Sequence, residues 1–265
     1  MPIHCPIAIR NISQQEFDAR DSLVMRCAYA VHNALGSICD EQVYETDLAL
    51  RLRAAGMANV HTQVPVIVSF GDFQKTYRLD LVADHALYEI KTVAALLGEH
   101  DAQVMHYAML LGVTHGKLLN FGAPKVQGRL RCNAVFPPQR RNLSWDEREW
   151  RPISKACDAL RTQAKEIISD WGGFLGCSLY EEALVHFCGG ESKAVFRVPI
   201  RRDDIELGTH RVQTHSDRLL FVVTALTGNR NRYHSQLKRL LMLTGFKAAQ
   251  WINLNHHRIE FITVQ

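Results

Sequence analysis

Two halves of the chain repeat each other at a fixed spacing, and any fold has to accommodate that repeat before anything else. Thr76-Tyr-Arg-Leu-Asp-Leu-Val-Ala-Asp84 aligns without a gap on Thr209-His-Arg-Val-Gln-Thr-His-Ser-Asp217, each position displaced by 133. The same displacement carries Gln103 to Gln236, Met109-Leu110 to Met242-Leu243, Gly112 to Gly245, and Leu119-Asn120-Phe121 to Ile252-Asn253-Leu254. With small insertions the match continues upstream. Val64-Pro65-Val66 faces Val198-Pro199-Ile200, and Leu35-Gly36 with Tyr44-Glu45 faces Leu175-Gly176 with Tyr180-Glu181. The chain therefore reads as a tandem duplication. At roughly 150 residues per domain, its 265 residues suit two domains, expected at 1–140 and 141–265, with the boundary in the polar, Pro- and Arg-rich stretch Pro137–Ser144.

Each copy predicts one order of elements. Apolar residues such as Leu23, Cys27, Val31 and Val43, Leu48, Leu52 recur at helical spacing, so helices are expected over about Ser13–Leu35 and Cys39–Ala55. A strand through Gln63–Phe70 follows, then a hairpin turn at Gly71-Asp72 and strands over Thr76–Val82 and Ala86–Thr92. Asp101 is placed to cap a helix that ends at Gly112, and Lys117–Phe121 reads as a further strand. The expected class is α/β, a mixed sheet flanked by helices, present twice.

Composition narrows the function classes. With 47% hydrophobic and 22% charged residues the chain is an ordinary folded protein. Its longest apolar runs fall far short of the roughly 18 to 20 residues that span a bilayer, and Met1-Pro-Ile-His-Cys-Pro6 carries no export signal, so a cytoplasmic location is expected. Seven scattered cysteines without a Cys-x-x-Cys pair argue for free thiols over disulfides or a zinc knot. Thirteen histidines and four tryptophans show no ligand or stacking pattern and are expected to be hydrogen-bonded or packed. The net charge of +4 is modest, but residues 1–132 carry −1 and residues 133–265 carry +5. Any grip on a polyanion is expected mainly in the second half.

The chemistry gathers in the first copy. On a strand, alternating side chains put Glu89 and Lys91 on one face and Ile90 on the other. Antiparallel pairing with the preceding strand would bring Asp80 beside Glu89, giving two carboxylates and an ammonium at one point. Mg²⁺ takes hard oxygen ligands and is usually held by one or two carboxylates plus substrate phosphate. Such an ion polarises a phosphoryl oxygen and acidifies a bound water, and a neighbouring lysine offsets developing charge. Gln103 and Tyr107, at i and i+4, share a helix face and are candidates to steady Lys91 or a phosphate oxygen.

These residues resemble the PD-(D/E)XK nuclease superfamily and, within it, the GxxExxY proteins. The naming motif is similar to Leu35-Gly36-Ser-Ile-Cys-Asp-Glu41-Gln-Val-Tyr44-Glu45, with Glu41 and Tyr44 matching and Ile38 in place of the opening glycine. Arg78-Leu-Asp80, Glu89-Ile-Lys91, Gln103 with Tyr107, and Leu119-Asn120-Phe121-Gly122 follow the family pattern in order, over about residues 20 to 131. The resemblance implies a restriction-endonuclease-like core and phosphodiester cleavage dependent on Mg²⁺ or Mn²⁺. It also implies Asp80 and Glu89 as metal ligands, Glu41 as a further metal-site carboxylate and Lys91 as the catalytic lysine.

The second copy replaces Asp80 by Gln213, Glu89 by Val222, Lys91 by Thr224 and Tyr107 by Leu240. It carries Arg230 and Arg232 in the loop matching the mouth of the site, with Lys238 and Arg239 on the next helix, and these four are expected to grip a nucleic-acid backbone. The expectation is a nuclease with one live site, acting on nucleic acid with DNA ahead of RNA, and an internal pseudo-dimer that favours nicking. The rival reading is a non-catalytic nucleic-acid-binding or assembly protein.

Overall fold

The computed structural model describes residues 3–203, 205–216 and 218–265; Asp217, the repeat partner of Asp84, lies outside them. The chain forms two units, one of residues 1–69 and 74–136, the other of residues 70–73 and 137–265, each built on its own six-stranded mixed sheet. Among the described residues no helix is long and apolar enough to cross a membrane.

The first unit runs β1 (Ile3–His4), α1 (Gln14–Leu35), α2 (Glu41–Ala54), β2 (Val60–Phe70), β3 (Phe73–Ala83), β4 (Ala86–Lys91), α3 (Gly98–Leu111), β5 (His115–Asn120) and β6 (Gln127–Cys132), with the strands lying side by side in chain order. A capping box starts α1: the Ser13 hydroxyl accepts from the Glu16 N–H at 3.2 Å while Glu16 Oε2 accepts from the Ser13 N–H at 2.9 Å. Gly36 ends α1 at φ +72. Tyr44 locks the turn that follows, donating to the Gly36 carbonyl at 2.9 Å and accepting from the Cys39 N–H at 3.1 Å. The left-handed residue is thus Gly36, and Ile38, where the resemblance leads one to expect a glycine, stands 93% exposed with no such demand on it.

Phe17, Val24 and Val31 of α1 and Tyr44, Leu48 and Leu52 of α2 pack on Leu81, Tyr88, Ile90, Leu119 and Phe121 of the sheet. At the sheet centre β4 and β5 run parallel and are buried at every position, as a parallel pair covered on both faces requires. The connecting helix α3 crosses β5 closely, and a Cβ on Gly116 would lie 2.8 Å from Val104 Cγ2. This helix begins at Gly98, so Asp101 is not its cap. Asp101 sits inside the first turn, bound by Arg129 and Arg131 at 3.1 and 2.7 Å, where an acid still complements the helix dipole.

The second unit runs α4 (Pro137–Arg141), β7 (Ser144–Glu149), α5 (Lys155–Trp171), α6 (Cys177–Phe187), α7 (Glu191–Ala194), β8 (Val195–Arg202), β9 (Ile205–Ser216), β10 (Leu219–Thr224), α8 (Arg230–Thr244), β11 (Ala248–Asn255) and β12 (Arg258–Val264). Its strands are ordered β8-β9-β10-β11-β12-β7, again with a central parallel pair, β10 and β11. The stretch expected to be a polar linker, Pro137–Ser144, is instead structured: it holds α4 and the start of β7, and Arg140 within it is buried. Trp145 stacks on Phe261 and Trp150 is buried, so both tryptophans beside this stretch pack as expected. All seven cysteines are free, with Cys27 and Cys157 buried and Cys132 exposed.

Two side-chain clamps recur in both units. Asn120 accepts from the Val93 N–H and donates to the Val93 carbonyl and to Gln127. Asn253 does the same with Leu226 and Glu260, each partner displaced by 133. The Tyr180 hydroxyl donates to the Gly172 carbonyl at 2.5 Å, as Tyr44 does to Gly36. Gly172, with φ +83, ends α5 as Gly36 ends α1. The counterpart of Gly36 is therefore Gly172 and not the expected Gly176, because the cap geometry, not the Leu-Gly letters, fixes the position. The extra strand also differs: β1 joins β2 at one edge, whereas β7 lies parallel to β12 at the other.

Candidate active site

The chemistry of the first unit collects where β3 leaves β4. Their antiparallel ladder pairs Ala83 with Ala86, Val82 with Leu87 and Leu81 with Tyr88, and goes no further. At the next step the Asp80 carboxylate takes over from the backbone, its Oδ2 accepting from the Ile90 N–H at 2.8 Å. The splayed strands would otherwise leave that amide unpaired, so Asp80 both opens the site and caps it.

Ile90 packs in the core under α1 and α2, and alternation sends Glu89 and Lys91 to the opposite face. Lys91 Nζ donates to Glu89 Oε1 at 2.7 Å, and both residues are buried. Glu89 Oε2 is buried without a well-formed hydrogen bond, although Asp80 lies close enough to interact with it. Burial first, and then the charge of Asp80, push the Glu89 carboxyl up to about 8. Burial likewise raises Asp80 against the pull of the Ile90 N–H and Lys91. Burial works to lower the Lys91 ammonium, but Glu89, Glu41 and Asp80 together outweigh it and its pKa rises, so it stays charged.

On α3, Gln103 donates to the Tyr107 hydroxyl at 3.2 Å. Burial raises the Tyr107 phenol, and Glu89, Asp80 and Lys91 all act on it, which sets this helix face beside the cluster. The Asn120 clamp holds the chain that leaves Lys91, and Gly122 lies against it so closely that a Cβ there would come within 2.5 Å of the Thr92 carbonyl carbon. The Leu119–Gly122 motif is thus a support for the loop after β4.

The structure brings Asp80, Glu89, Lys91, Gln103 and Tyr107 together. Glu41, expected as a third metal carboxylate, has its Oε1 accepting from the Thr92 N–H at 3.3 Å. Among the described residues no group of three or more His, Cys, Asp or Glu side chains is arranged to hold a metal ion. Glu41 nevertheless acts on the Lys91 ammonium together with Glu89 and Asp80. Asp80 and Glu89 fit a hard cation: both are raised by burial, one oxygen of Glu89 is unsatisfied, and each would gain a partner from a divalent ion.

Two residues of the neighbourhood escaped sequence reasoning as site members, Glu45 and Gln63. Glu45 is 3% exposed, its carboxyl raised by burial and drawn back by Gln63, whose Nε2 donates to Oε2 at 2.5 Å. The signal in the letters is weak: Glu45 precedes Leu48 and Leu52 by three and seven residues, the spacing of one helix face, but Val43 and Leu50, both exposed, blur the stripe.

Among the described residues the second unit offers no such cluster. Thr224, in the place of Lys91, donates to Asn253 Oδ1 at 2.7 Å and accepts from the Trp251 indole at 2.7 Å. Gln213, in the place of Asp80, donates to Glu181. The four basic residues do not form one surface. Arg230 is half-buried and ion-paired with Glu149, which removes it from a free grip. Arg232, Lys238 and Arg239 are exposed on α8, but only Arg232 and Arg239, seven residues apart, share a helix face.

The family model of the PD-(D/E)XK nuclease superfamily matches residues 18–132, a span that contains every residue of the first-unit site. No curated protein and no solved structure gives a match to the chain.

Proposed function

We propose that the first unit is a divalent-cation-dependent nuclease of the GxxExxY kind, hydrolysing phosphodiester bonds of nucleic acid, with DNA ahead of RNA. The observation that carries this reading is the buried Asp80–Glu89–Lys91 cluster, two raised carboxylates and a charged lysine at the point where two strands part. Asp80 and Glu89 would hold Mg²⁺ or Mn²⁺, which supplies Lewis-acid polarisation of a phosphoryl oxygen and an acidified water.

The chain's own groups then have separate tasks. The Ile90 N–H fixes one oxygen of Asp80, so that carboxylate is oriented before anything binds. Lys91, charged and held by Glu89, is placed to offset negative charge that develops on a phosphate. Tyr107, steadied by Gln103, presents a hydroxyl at the same rim. The second unit is read as a degenerate copy, supported by the shared strand order and the two recurring clamps. Its role is structural or substrate-gripping through Arg232 and Arg239.

Cleavage of labelled plasmid, linear duplex, single-stranded DNA and RNA with Mg²⁺ or Mn²⁺ tests the reading. The wild type is expected to cut and, with one live site, to nick plasmid before linearising it. Folded Asp80→Ala and Lys91→Ala proteins are expected to lose on the order of 10² to 10³ in rate. Silence of the wild type on every substrate, with nucleic acid still bound, would favour the non-catalytic binding protein instead.

A further inference from the structure

Gln63 has a backbone that its neighbours do not share. It lies in β2 with φ +51, a left-handed conformation that residues with side chains rarely adopt and that costs free energy within a strand. Val64, Val66 and Val68 beyond it are buried in ordinary alternation. A break of this sort re-aims a side chain, and such breaks gather beside sites.

The re-aimed amide finds two acids. Its Nε2 donates to Glu45 Oε2 at 2.5 Å, and the amide lies close enough to the Asp80 carboxylate to favour its charged form. A primary amide has two N–H donors, enough for both. Gln42 Nε2 completes Glu45 from the other side, donating to Oε1 at 3.3 Å. The second unit supplies the contrast. There the acid persists as Glu181, and Gln213, at the repeat position of Asp80, donates to it directly. The position before Val198, which corresponds to Gln63 before Val64, is Arg197, and its guanidinium turns to the Thr209 hydroxyl at 3.3 Å. A separate bridging amide occurs in the unit that has an Asp80 to hold.

We propose that Gln63 is a positioning residue for the cation site, bridging Asp80 to Glu45 and holding the Asp80 carboxylate in the orientation that receives the Ile90 N–H. The inference rests on the reading of Asp80 and Glu89 as cation ligands. Hydrogen-bond partners of ligating carboxylates commonly contribute 10- to 100-fold in metal affinity, and Gln63 is expected to contribute on that order.

The test is Mn²⁺ titration of the full chain by calorimetry, beside urea unfolding, for wild type, Asp80→Ala, Gln63→Met and the double variant Glu45→Gln with Gln63→Met. Gln63→Met keeps the length and loses the donors, and should bind Mn²⁺ at least about 10-fold more weakly. The double variant removes the buried acid that Gln63 satisfies, so it should regain stability without regaining affinity. Should Gln63→Met fail to fold, Gln63→Asn, one methylene short of the bridge, is read in the same way. Wild-type affinity in the single variant, or affinity that returns with stability in the double, would make Gln63 a structural partner of Glu45 and overturn the inference alone. Wild type that binds no Mn²⁺, or binds it equally after Asp80→Ala, would remove the cation site and this inference with it.

Discussion

Replacing Glu89 by glutamine should make the first unit more stable at pH 8 in the absence of divalent cation. Glu89 is 1% exposed, and burial together with Asp80 moves its carboxyl from 4.5 to about 8. In the unfolded chain the group ionises near 4.5, so between these values the folded state holds a proton that the unfolded state has lost. Stability then falls as pH rises, the reverse of an acid whose folded pKa is depressed. The full displacement corresponds to roughly 5 kcal/mol, most of which is lost between pH 5 and pH 8. Glutamine cannot ionise, and its amide still offers an acceptor to Lys91 and a donor to Asp80. Urea unfolding of both proteins from pH 5 to 8, followed by hydrogen exchange of β4 amides so that the first unit is read by itself, should show the wild type losing stability against the variant. Saturating Mg²⁺ should restore the wild type at pH 8, where it replaces the proton, and do little at pH 5. Parallel pH profiles for the two proteins, or equal Mg²⁺ stabilisation at both pH values, would refute the argument.

Two further outcomes follow from side chains elsewhere. Charge reversal at Arg232 and Arg239 should weaken nucleic-acid binding and reduce its salt slope by about one for each phosphate that is no longer neutralised, whereas Arg230→Glu should act on stability through its pairing with Glu149; gel-shift titrations across salt concentrations, paired with thermal melts, separate the two. Tyr44→Phe removes a buried hydroxyl that bonds Gly36 and Cys39 and should cost about 1 to 2 kcal/mol in urea unfolding, while Mn²⁺ affinity at the Asp80 site stays within a few-fold.

What the sequence discloses and what it hides divide along physical lines. Strand alternation has a period of two and a hairpin has a fixed register, so Asp80, Glu89 and Lys91 can be placed on one face from letters alone. Helix spacing places Gln103 with Tyr107 for the same reason. Gln63 cannot be placed, because its role depends on a left-handed φ that no local pattern announces. Asp101 reads as a cap because aspartate is a good one, but Arg129 and Arg131, on a strand far along the chain, claim its carboxylate. Pairing Gly36 with Gly176 follows a Leu-Gly match, while the structural equivalence lies in a helix-ending glycine whose carbonyl a tyrosine binds eight residues later. Charge counting locates the basic excess in the second half but does not show that Arg230 is already paired.

On the proposed reading of the second unit as a degenerate copy, it differs from the first in more than the letters at the Asp80, Glu89 and Lys91 positions, and that difference can be tested by writing them back. In β9 and β10, Leu219 pairs with Ser216, but the next pairs are Leu220 with Thr214 and Phe221 with Gln213, so His215 is an extra residue and the register slips by one. In the first unit the residue that follows the last ladder pair is Asp80, on the face of Glu89. In the second, Gln213 shares the face of Phe221 and reaches Glu181 on α6, whereas Val222 lies on the other face, packed under α8. Writing the acids and the lysine back as Gln213→Asp, Val222→Glu and Thr224→Lys would therefore set the two carboxylates on opposite sides of the sheet, and would also break the Thr224 bonds to Asn253 and Trp251. Made in an Asp80→Ala chain, so that the first site is silent, this triple variant should bind no Mn²⁺ above background in calorimetric titration. Binding that appears with those three substitutions would mean that the slip at His215 does not separate the faces.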